Sequence, residues 1–433
     1  MDSAAQECRT ERPLRLLVHG LNYAPDLIGI PKYTTEMCEW LAARGHQVRV
    51  VTAPPYYPAW AIGEGYSSWS LRRERINGVE VRRYPLWVPS NPTGLARLTH
   101  LASFAASSAP GVLARGLAWR PDVVWTVAPA LIAAPFSLAA AKLAGAVSWL
   151  HLQDFEVDAA FALGLLGGGL RHRLALETER RLMRGFDRVS TISPQMLNLL
   201  HTKGVDPGRT MIMRNWIDTN RIAPLDRPSA LRAELGLAPG TKVALYAGNM
   251  ATKQGLPILI RAASRLAHRR DLVFVLAGAG PGRAELEAEA AGLANIRFLP
   301  MQPLERLNEL LNLADIHLLP QRADAADLVL PSKLTGIMAS GRPVVATAFP
   351  DTGLAREIAD AGTVTPPGDA EAFAKAIEDL ADSPERRAAA GEAARRHALG
   401  ELDIDAILVR FEAEMYAARR TAHPDAPPYP SGR

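Results

Sequence analysis

Leu330-Pro331-Ser332-Lys333-Leu334 opens a run that closes with Gly341-Arg342-Pro343-Val344-Val345-Ala346. Pro331 and Ser332 are helix-opening residues, and Gly341 is a stop before a buried strand. The first turn of a helix offers N–H groups and partial positive charge, which suit a phosphate. Lys333 adds a mobile cation where the helix dipole favours an acidic residue. The mismatch points to an anion supplied from outside the chain. From this run alone, an ordinary strand–helix unit with a solvated lysine reads equally well.

Other turns add to this. Gly248-Asn249 and Lys253, in Ala247–Gly255, follow a buried strand with two glycines and a lysine, again suited to an anion. An exposed loop lysine is the plain alternative for Lys253. Gly29 precedes a helix, where glycine lets backbone approach a ligand; a simple turn glycine fits as well. Gly278-Ala279-Gly280-Pro281-Gly282-Arg283 resembles a dinucleotide fingerprint but has Arg283 where the last glycine belongs, so it reads as a structural turn. His151-Leu152-Gln153-Asp154-Phe155-Glu156-Val157-Asp158 ends another buried strand. There His151 and Asp154 could hydrogen-bond a sugar or accept a hydroxyl proton. A core histidine followed by a solvated acidic loop is the alternative.

The elements that must hold these turns alternate. Strands over 14–18, 47–52, 123–127, 147–151 and 188–191 interleave with helices over 32–44, 95–117, 131–143 and 170–183. A second series starts at Val243 and runs to Ala346. Such alternation with near-continuous apolar strands means parallel sheets covered on both faces. The class is therefore α/β, with two facing Rossmann-like doubly wound domains and a cleft between them, since ligands bind outside the carboxyl ends of such strands. The expected domains are 1–221 on the acceptor side and 222–402 for the donor. A last helix over 403–420 could cross back to the first domain. The Pro-rich tail 421–433 is expected to be disordered.

Composition agrees. The 433 residues exceed one typical core, and 48% hydrophobic with 22% charged residues fit a globular protein. The net charge of +4 argues against a nucleic-acid partner. Cys8 and Cys38 show no ligand spacing, so no metal centre or disulfide framework is expected and a reducing cytoplasm fits. No segment is long and apolar enough for a signal core or a membrane span.

Two lysines and a helix tip in one domain, with an acid/base group in the other, suggest group transfer. Lys253 and Lys333 would stabilise charge growing on a leaving diphosphate, while a hydroxyl enters near His151. The motifs in this order resemble the GT-B glycosyltransferases of retaining family 4. They include Pro25–Gly29, the strand exit at His151, Asn215-Trp216-Ile217-Asp218, Gly278–Pro281 and Met338–Val345. Closer similarity, to colanic-acid-type exopolysaccharide glycosyltransferases, is carried by Asn22–Asp26, Thr52–Pro58, His151–Asp158 and Pro331–Thr335. That resemblance implies a nucleotide-sugar donor, retention of anomeric configuration, no cofactor or metal, and a lipid-linked oligosaccharide acceptor at the inner face of a bacterial membrane. It implies donor contacts from Gly29, Gly248, Asn249, Lys253, Pro331, Ser332, Lys333 and Leu334, and base contact from the loop holding Met301. The sequence departs from the broad family at Asn249 and Gln254, where an arginine and a lysine are usual. It departs again at Leu328 and Gly336, where glutamates usually grip the sugar and ribose; Asp324 or Asp327 could replace the first. The cluster Arg72-Arg73-Glu74-Arg75 with Arg82-Arg83, and the apolar stretch Phe161–Leu170 with Arg171 and Arg173, could dock on an anionic membrane. A solvated charged face is the simpler reading. The rival enzyme class is a non-hydrolysing nucleotide-sugar epimerase. A solute-binding protein or a dehydrogenase would need an export signal or the fingerprint that Arg283 breaks.

Overall fold

The structure is a computed structural model that describes residues 11–26, 29–129, 131–155, 170–251, 254–323 and 330–422. The chain divides into two units, Met1–Arg214 with Leu408–Arg433, and Asn215–Ile407. The division precedes the 221/222 boundary read from the sequence. The reason is local: the amide of Ile217 donates to Leu402 O at 2.8 Å and Ile404 N donates to Ile217 O at 3.0 Å, which ties this stretch to the second unit.

The first unit holds one sheet. Its strands are β1 (Arg15–His19), β2 (Gln47–Thr52), β3 (Arg72–Ile76), β4 (Val79–Arg83), β5 (Val123–Ala128), β6 (Val147–Leu152), β7 (Arg188–Thr191) and β8 (Thr210–Ile212), in the order β3-β4-β2-β1-β5-β6-β7-β8. All neighbours are parallel except β3 and β4. β5 and β6 are buried along their whole length, as central strands covered on both faces must be.

The β3–β4 hairpin carries the basic cluster expected from the sequence, with Arg72, Arg73 and Arg75 exposed. It turns at Asn77-Gly78, both with positive φ (44° and 86°), the backbone that an Asn-Gly hairpin requires. Arg83 is buried; its guanidinium binds Glu74 and donates to the Ala24 and Ala53 carbonyls. Arg82 donates to Glu80 at 3.0 Å. These two arginines are internal ties, not a free cationic surface.

The last helix, Ile404–Ala422, is counted with the first unit from Leu408 onward. Phe411 lies edge-on to Trp149, with ring centres 5.0 Å apart. The buried Glu412 accepts from His46 Nε2 and Arg44, each at 2.7 Å. Because Leu14 N donates to His46 Nδ1 at 3.0 Å, the imidazole proton sits on Nε2, facing Glu412.

The second unit's sheet runs β11-β10-β9-β12-β13-β14, all parallel. The strands are β9 (Lys242–Ala247), β10 (Leu272–Ala277), β11 (Ile296–Leu299), β12 (Ile316–Leu319), β13 (Val344–Thr347) and β14 (Gly362–Thr365). Chain order reverses between β9 and β12, so the topological switch point lies at their carboxyl ends. That is where open α/β sheets take ligands.

Burial keeps three histidines neutral. His19 is pushed down to about 4, and His151 and His317 to about 3, chiefly by desolvation. In the unfolded chain each titrates near 6.5, so below that pH the unfolded state binds protons that the folded state refuses. Stability from these groups is present above about pH 6.5 and is lost as the pH falls toward about 4. The thermal unfolding midpoint is expected to drop steadily from pH 6.5 to 4.5. A midpoint that stays level over that range would show that these rings are protonated without cost.

Candidate functional site

β9 delivers the buried Tyr246 to the switch point, and the chain turns at Gly248, whose φ is 144°. The turn after β9 is stitched to the turn after β10. Gly248 N donates to Ala277 O at 2.9 Å, Met250 N to Ala279 O at 2.8 Å and Gly282 N to Met250 O at 2.8 Å. At Gly278 a Cβ would collide with Gly248 O, and at Gly280 it would come within 2.7 Å of the Met250 backbone. The glycines of the failed fingerprint thus serve close backbone approach. Arg283 closes the same turn by donating to Gly278 O at 2.7 Å and Leu299 O at 2.9 Å.

Lys333 lies over this turn. Its helix runs Lys333–Ala339, with Ser332 in the N-cap position but making no side-chain cap. The ammonium donates to the Tyr246 hydroxyl at 2.6 Å and stands 4.3 Å from the centre of its ring. The Tyr246 hydroxyl in turn donates to Asn249 O at 2.6 Å. A Cβ on Gly248 would collide with Lys333 Cε and stand 2.7 Å from Nζ. Burial pushes the Lys333 pKa down to about 8. Among the described residues no carboxylate pairs with it. A half-buried ammonium held by a neutral hydroxyl, at the edge where ligands enter, is arranged to meet an anion.

The structure sorts the other expected donor residues. Lys333, Gly248 and Asn249 meet at this point, and Asn249 is exposed. Ser332 is exposed and Pro331 half-buried beside them. Leu334 does not belong among the contacts: its side chain lies in the core with Ile337 and Met338, and its amide donates to Pro331 O at 2.9 Å. Met301 is 62% exposed after β11, two strands along from β9. Lys253, with Asp324, Asp327 and Leu328, lies outside the described residues. Gly29, in the first unit, has a φ of 76° directly before the helix Ile30–Ala43, with nothing within 4 Å of where a Cβ would stand.

At the β6 exit, His151 is buried and stacked on Trp125, with ring centres 5.2 Å apart. The Gln153 amide nitrogen meets Nε2 at 3.1 Å and Ser190 Oγ meets Nδ1 at 2.9 Å. With Gln153 donating, Nδ1 carries the proton toward Ser190, which also accepts from Trp149 Nε1 at 2.9 Å. Both ring nitrogens are engaged and the ring is neutral. This arrangement makes His151 a support for Gln153 and does not leave the lone pair that a proton acceptor needs. Asp154 is exposed, and one of its oxygens accepts from Phe155 N at 2.8 Å. Glu156 and Asp158 lie outside the described residues.

Sequence reasoning missed Tyr246 and Gln153. Tyr246 reads as one more core residue of an apolar strand; its one signal is a hydroxyl at the strand's carboxyl end. Gln153 sits inside the segment singled out for its charges, between two more conspicuous groups. Among the described residues, no group of three or more His, Cys, Asp or Glu is placed to hold a metal, and no helix is long and apolar enough to cross a membrane.

Residues 29–216 match the glycosyl transferase 4-like domain family, and residues 241–383 match glycosyl transferases group 1. WcaI of Escherichia coli (strain K12), provisionally assigned to colanic acid biosynthesis as a glycosyl transferase, is 43% identical over 409 residues, 92% of this chain and 98% of that protein. D-inositol 3-phosphate glycosyltransferase 2 of Catenulispora acidiphila is 30% identical over 59% of this chain and 64% of its own length. Among solved structures, sucrose-phosphate synthase from Thermosynechococcus elongatus shares the fold at 18% identity, with a TM-score of 0.69 over 94% of this chain and 100% of that one. Anabaena HepE in complex with UDP-glucose does so at 19% identity, with a TM-score of 0.64 over 93% of this chain and 99% of that one. The chain belongs to the glycosyltransferases built from these two domains, and its fold is GT-B. Both domain matches are to transferases, so the epimerase reading is not favoured.

Gly248→Ala puts a methyl group where Lys333 Cε lies and forces a side chain onto a backbone of φ 144°. The expected cost is about 1–3 kcal/mol of stability, together with displacement of the ammonium. Denaturant unfolding would measure the first. Amide-proton exchange along 246–250 would show the second as faster exchange. An unaltered variant by both measures would mean that the lysine does not rest on this turn.

Proposed function

We propose that this glycosyltransferase moves a sugar from a nucleoside-diphosphate donor to a carbohydrate acceptor, with retention at the anomeric carbon and without a required metal. The observation that carries the donor class is the Lys333 ammonium at the β9/β12 switch point, held by Tyr246 and lacking a carboxylate partner among the described residues. When the bond from the anomeric carbon to the diphosphate oxygen breaks, the electron pair stays on that oxygen. A fixed cation there lowers the barrier more than it stabilises the ground state. The exposed Ser332 and Asn249 border the same place, and Lys253 is assigned a second cationic contact. The loop at Met301 is assigned the base. The names of similar proteins support this reading: HepE structures contain UDP and UDP-glucose.

The acceptor belongs to the first unit in this proposal. Gln153, oriented by His151, and the exposed Asp154 are the polar groups presented at the β6 exit, while Gly29 keeps the donor contact that the family resemblance implies. Similarity to WcaI supports a role in assembling a colanic-acid-type exopolysaccharide, and the acceptor assigned with it is a lipid-linked oligosaccharide. The protein would then work peripherally at the inner face of the cytoplasmic membrane. Residues 161–169 of the apolar stretch lie outside the described residues, so the docking face is assigned elsewhere. Trp69 and Leu95 are 80% and 78% exposed, and Leu71, Trp87 and Leu98 are exposed with them. Leu86 N donates to Ser68 O at 3.0 Å and Trp87 N donates to Ser103 Oγ at 3.1 Å, which brings these residues to one side of the helix Gly94–Trp119. Arg73, Arg75 and Arg97, close to them in the chain, are exposed as well. Aromatic and aliphatic side chains together with arginines suit an anionic bilayer surface.

A thermal-shift panel of UDP, ADP, GDP and their sugars tests the donor. At least one is expected to raise the unfolding midpoint by mass action. Lys333→Met is expected to slow transfer by about a hundredfold, as loss of one charge-stabilising donor costs about 3 kcal/mol in the transition state. A panel with no shift, or a variant with full transfer rate, overturns the proposal. Flotation with phosphatidylglycerol-rich vesicles tests docking: binding at low salt is expected, and it should weaken severalfold in Trp69→Ser/Leu95→Ser. No co-flotation at low salt would end that assignment.

A further inference from the structure

Lysine is a poor fixed charge on its own. Four side-chain torsions set the position of Nζ, and ordering them costs up to about 2 kcal/mol of side-chain entropy. In this protein the chain itself supplies that ordering. The stem crosses Gly248, where a Cβ would collide with it, and the head meets both the ring face and the hydroxyl of Tyr246.

The hydroxyl's own proton gives the contact a direction. A phenol has one O–H to donate. At Tyr246 it goes to Asn249 O, a backbone carbonyl that can only accept. The lone pairs of the Tyr246 oxygen are therefore the part that faces Lys333, and Nζ must be the donor. The chain of bonds runs one way, from ammonium to hydroxyl to carbonyl. It favours the charged lysine, and it occupies one of the three N–H groups. Burial raises the Tyr246 pKa, so the hydroxyl keeps its proton over any ordinary working pH. The ring itself is buried against the core beneath the switch point, together with Met250 and Leu276, so the platform does not shift with the lysine.

We propose that Tyr246 is a positioning residue for the nucleotide donor: its hydroxyl, locked by Asn249 O, holds the Lys333 ammonium so that the two remaining N–H groups are left for the diphosphate. The proposal rests on the donor reading above and adds the group that makes Lys333 work. It also explains why Asn249 serves here in place of the arginine usual in the broad family. The backbone carbonyl at this position is the element in use, and it asks nothing of the side chain.

The test is a double-mutant cycle on binding, read by titration calorimetry with UDP, ADP and GDP, using whichever binds the wild type most tightly. Tyr246→Phe keeps the ring and removes only the hydroxyl. It is expected to weaken binding about tenfold, the scale of one hydrogen bond to a charged group. Lys333→Met is expected to weaken it further, and Tyr246→Phe should then have no added effect in the Lys333→Met background. A pH series gives a second readout. Wild-type affinity is expected to fall as the pH rises through about 8, where Lys333 loses its proton. In Tyr246→Phe that fall should begin at lower pH, because the acceptor favouring the ammonium is gone. Unchanged binding in Tyr246→Phe overturns the proposal, as does the same loss in both backgrounds, which would make Tyr246 a support of the turn alone. If the wild type binds none of the three nucleotides, the donor reading fails and takes this assignment with it. That result differs from a Tyr246 variant that is neutral in a protein that binds.

Discussion

The second unit is organised around one costly arrangement, a lysine head withdrawn from water without a carboxylate among the described residues to neutralise it. Desolvation of that kind is unfavourable, and its signature is the downward pull on the Lys333 pKa. Everything nearby makes the arrangement possible. Tyr246 supplies a hydroxyl and a ring face, which attract a cation without neutralising it. Gly248 supplies the missing Cβ that leaves room for the stem. Gly278 and Gly280 bring the next turn close enough to hold Gly248 in place. A carboxylate at any of these positions would relax the cation and end its usefulness toward phosphate. Among the described residues no acid stands there to do so.

The first unit uses its polar residues differently. His151, Ser190 and Trp149 form a network inside the sheet, in which Ser190 Oγ accepts from Trp149 Nε1 and meets His151 Nδ1. His19 does the same with Ser137 and Ser108. Such networks rigidify and specify, but they have nothing left over for a substrate. What reaches the surface from them is indirect: Gln153, oriented by His151, and Asp154 beyond it. The last helix adds a similar lock, since Glu412 ties His46 and Arg44 while Phe411 covers Trp125 and Trp149. Lys333 in the second unit differs: among the described residues one hydroxyl accepts from its three N–H groups.

Much of this was legible in the sequence. The alternation of apolar strands with helices located both sheets, because buried parallel strands need unbroken hydrophobic runs. Lys333 stood out because it is the wrong charge for a helix start. The β3–β4 hairpin was not found from its strands, since Arg72–Ile76 has no apolar alternation; it lies at the sheet edge and its arginines find internal acceptors. Asn77-Gly78 was the available signal and was outweighed by the charge run. His151 was legible as a residue at the right strand exit, but its tautomer and partners depend on Ser190 and Gln153, which only the paired strands bring together. Tyr246 was invisible for the complementary reason: its ring does what any core aromatic does, and only the hydroxyl departs from that pattern.

The departures from the broad family fit the same picture. The helix Lys333–Ala339 turns every residue from Leu334 onward into the core. At Gly336, where a glutamate is usual, a Cβ would already stand 3.2 Å from Leu311 Cδ1, so a longer acidic side chain would have to displace a packed leucine. This helix therefore cannot reach a ribose from its second turn. It presents to the outside only its beginning, Ser332 and Lys333, and those are suited to phosphate and to little else. In the proposed donor site the sugar and ribose therefore fall to other parts of the chain, and on this helix the charge falls to Lys333. A side chain that is its helix's one charged contribution has to be fixed in direction, because no second residue on that helix can correct it, and the Tyr246 hydroxyl is the group that fixes it.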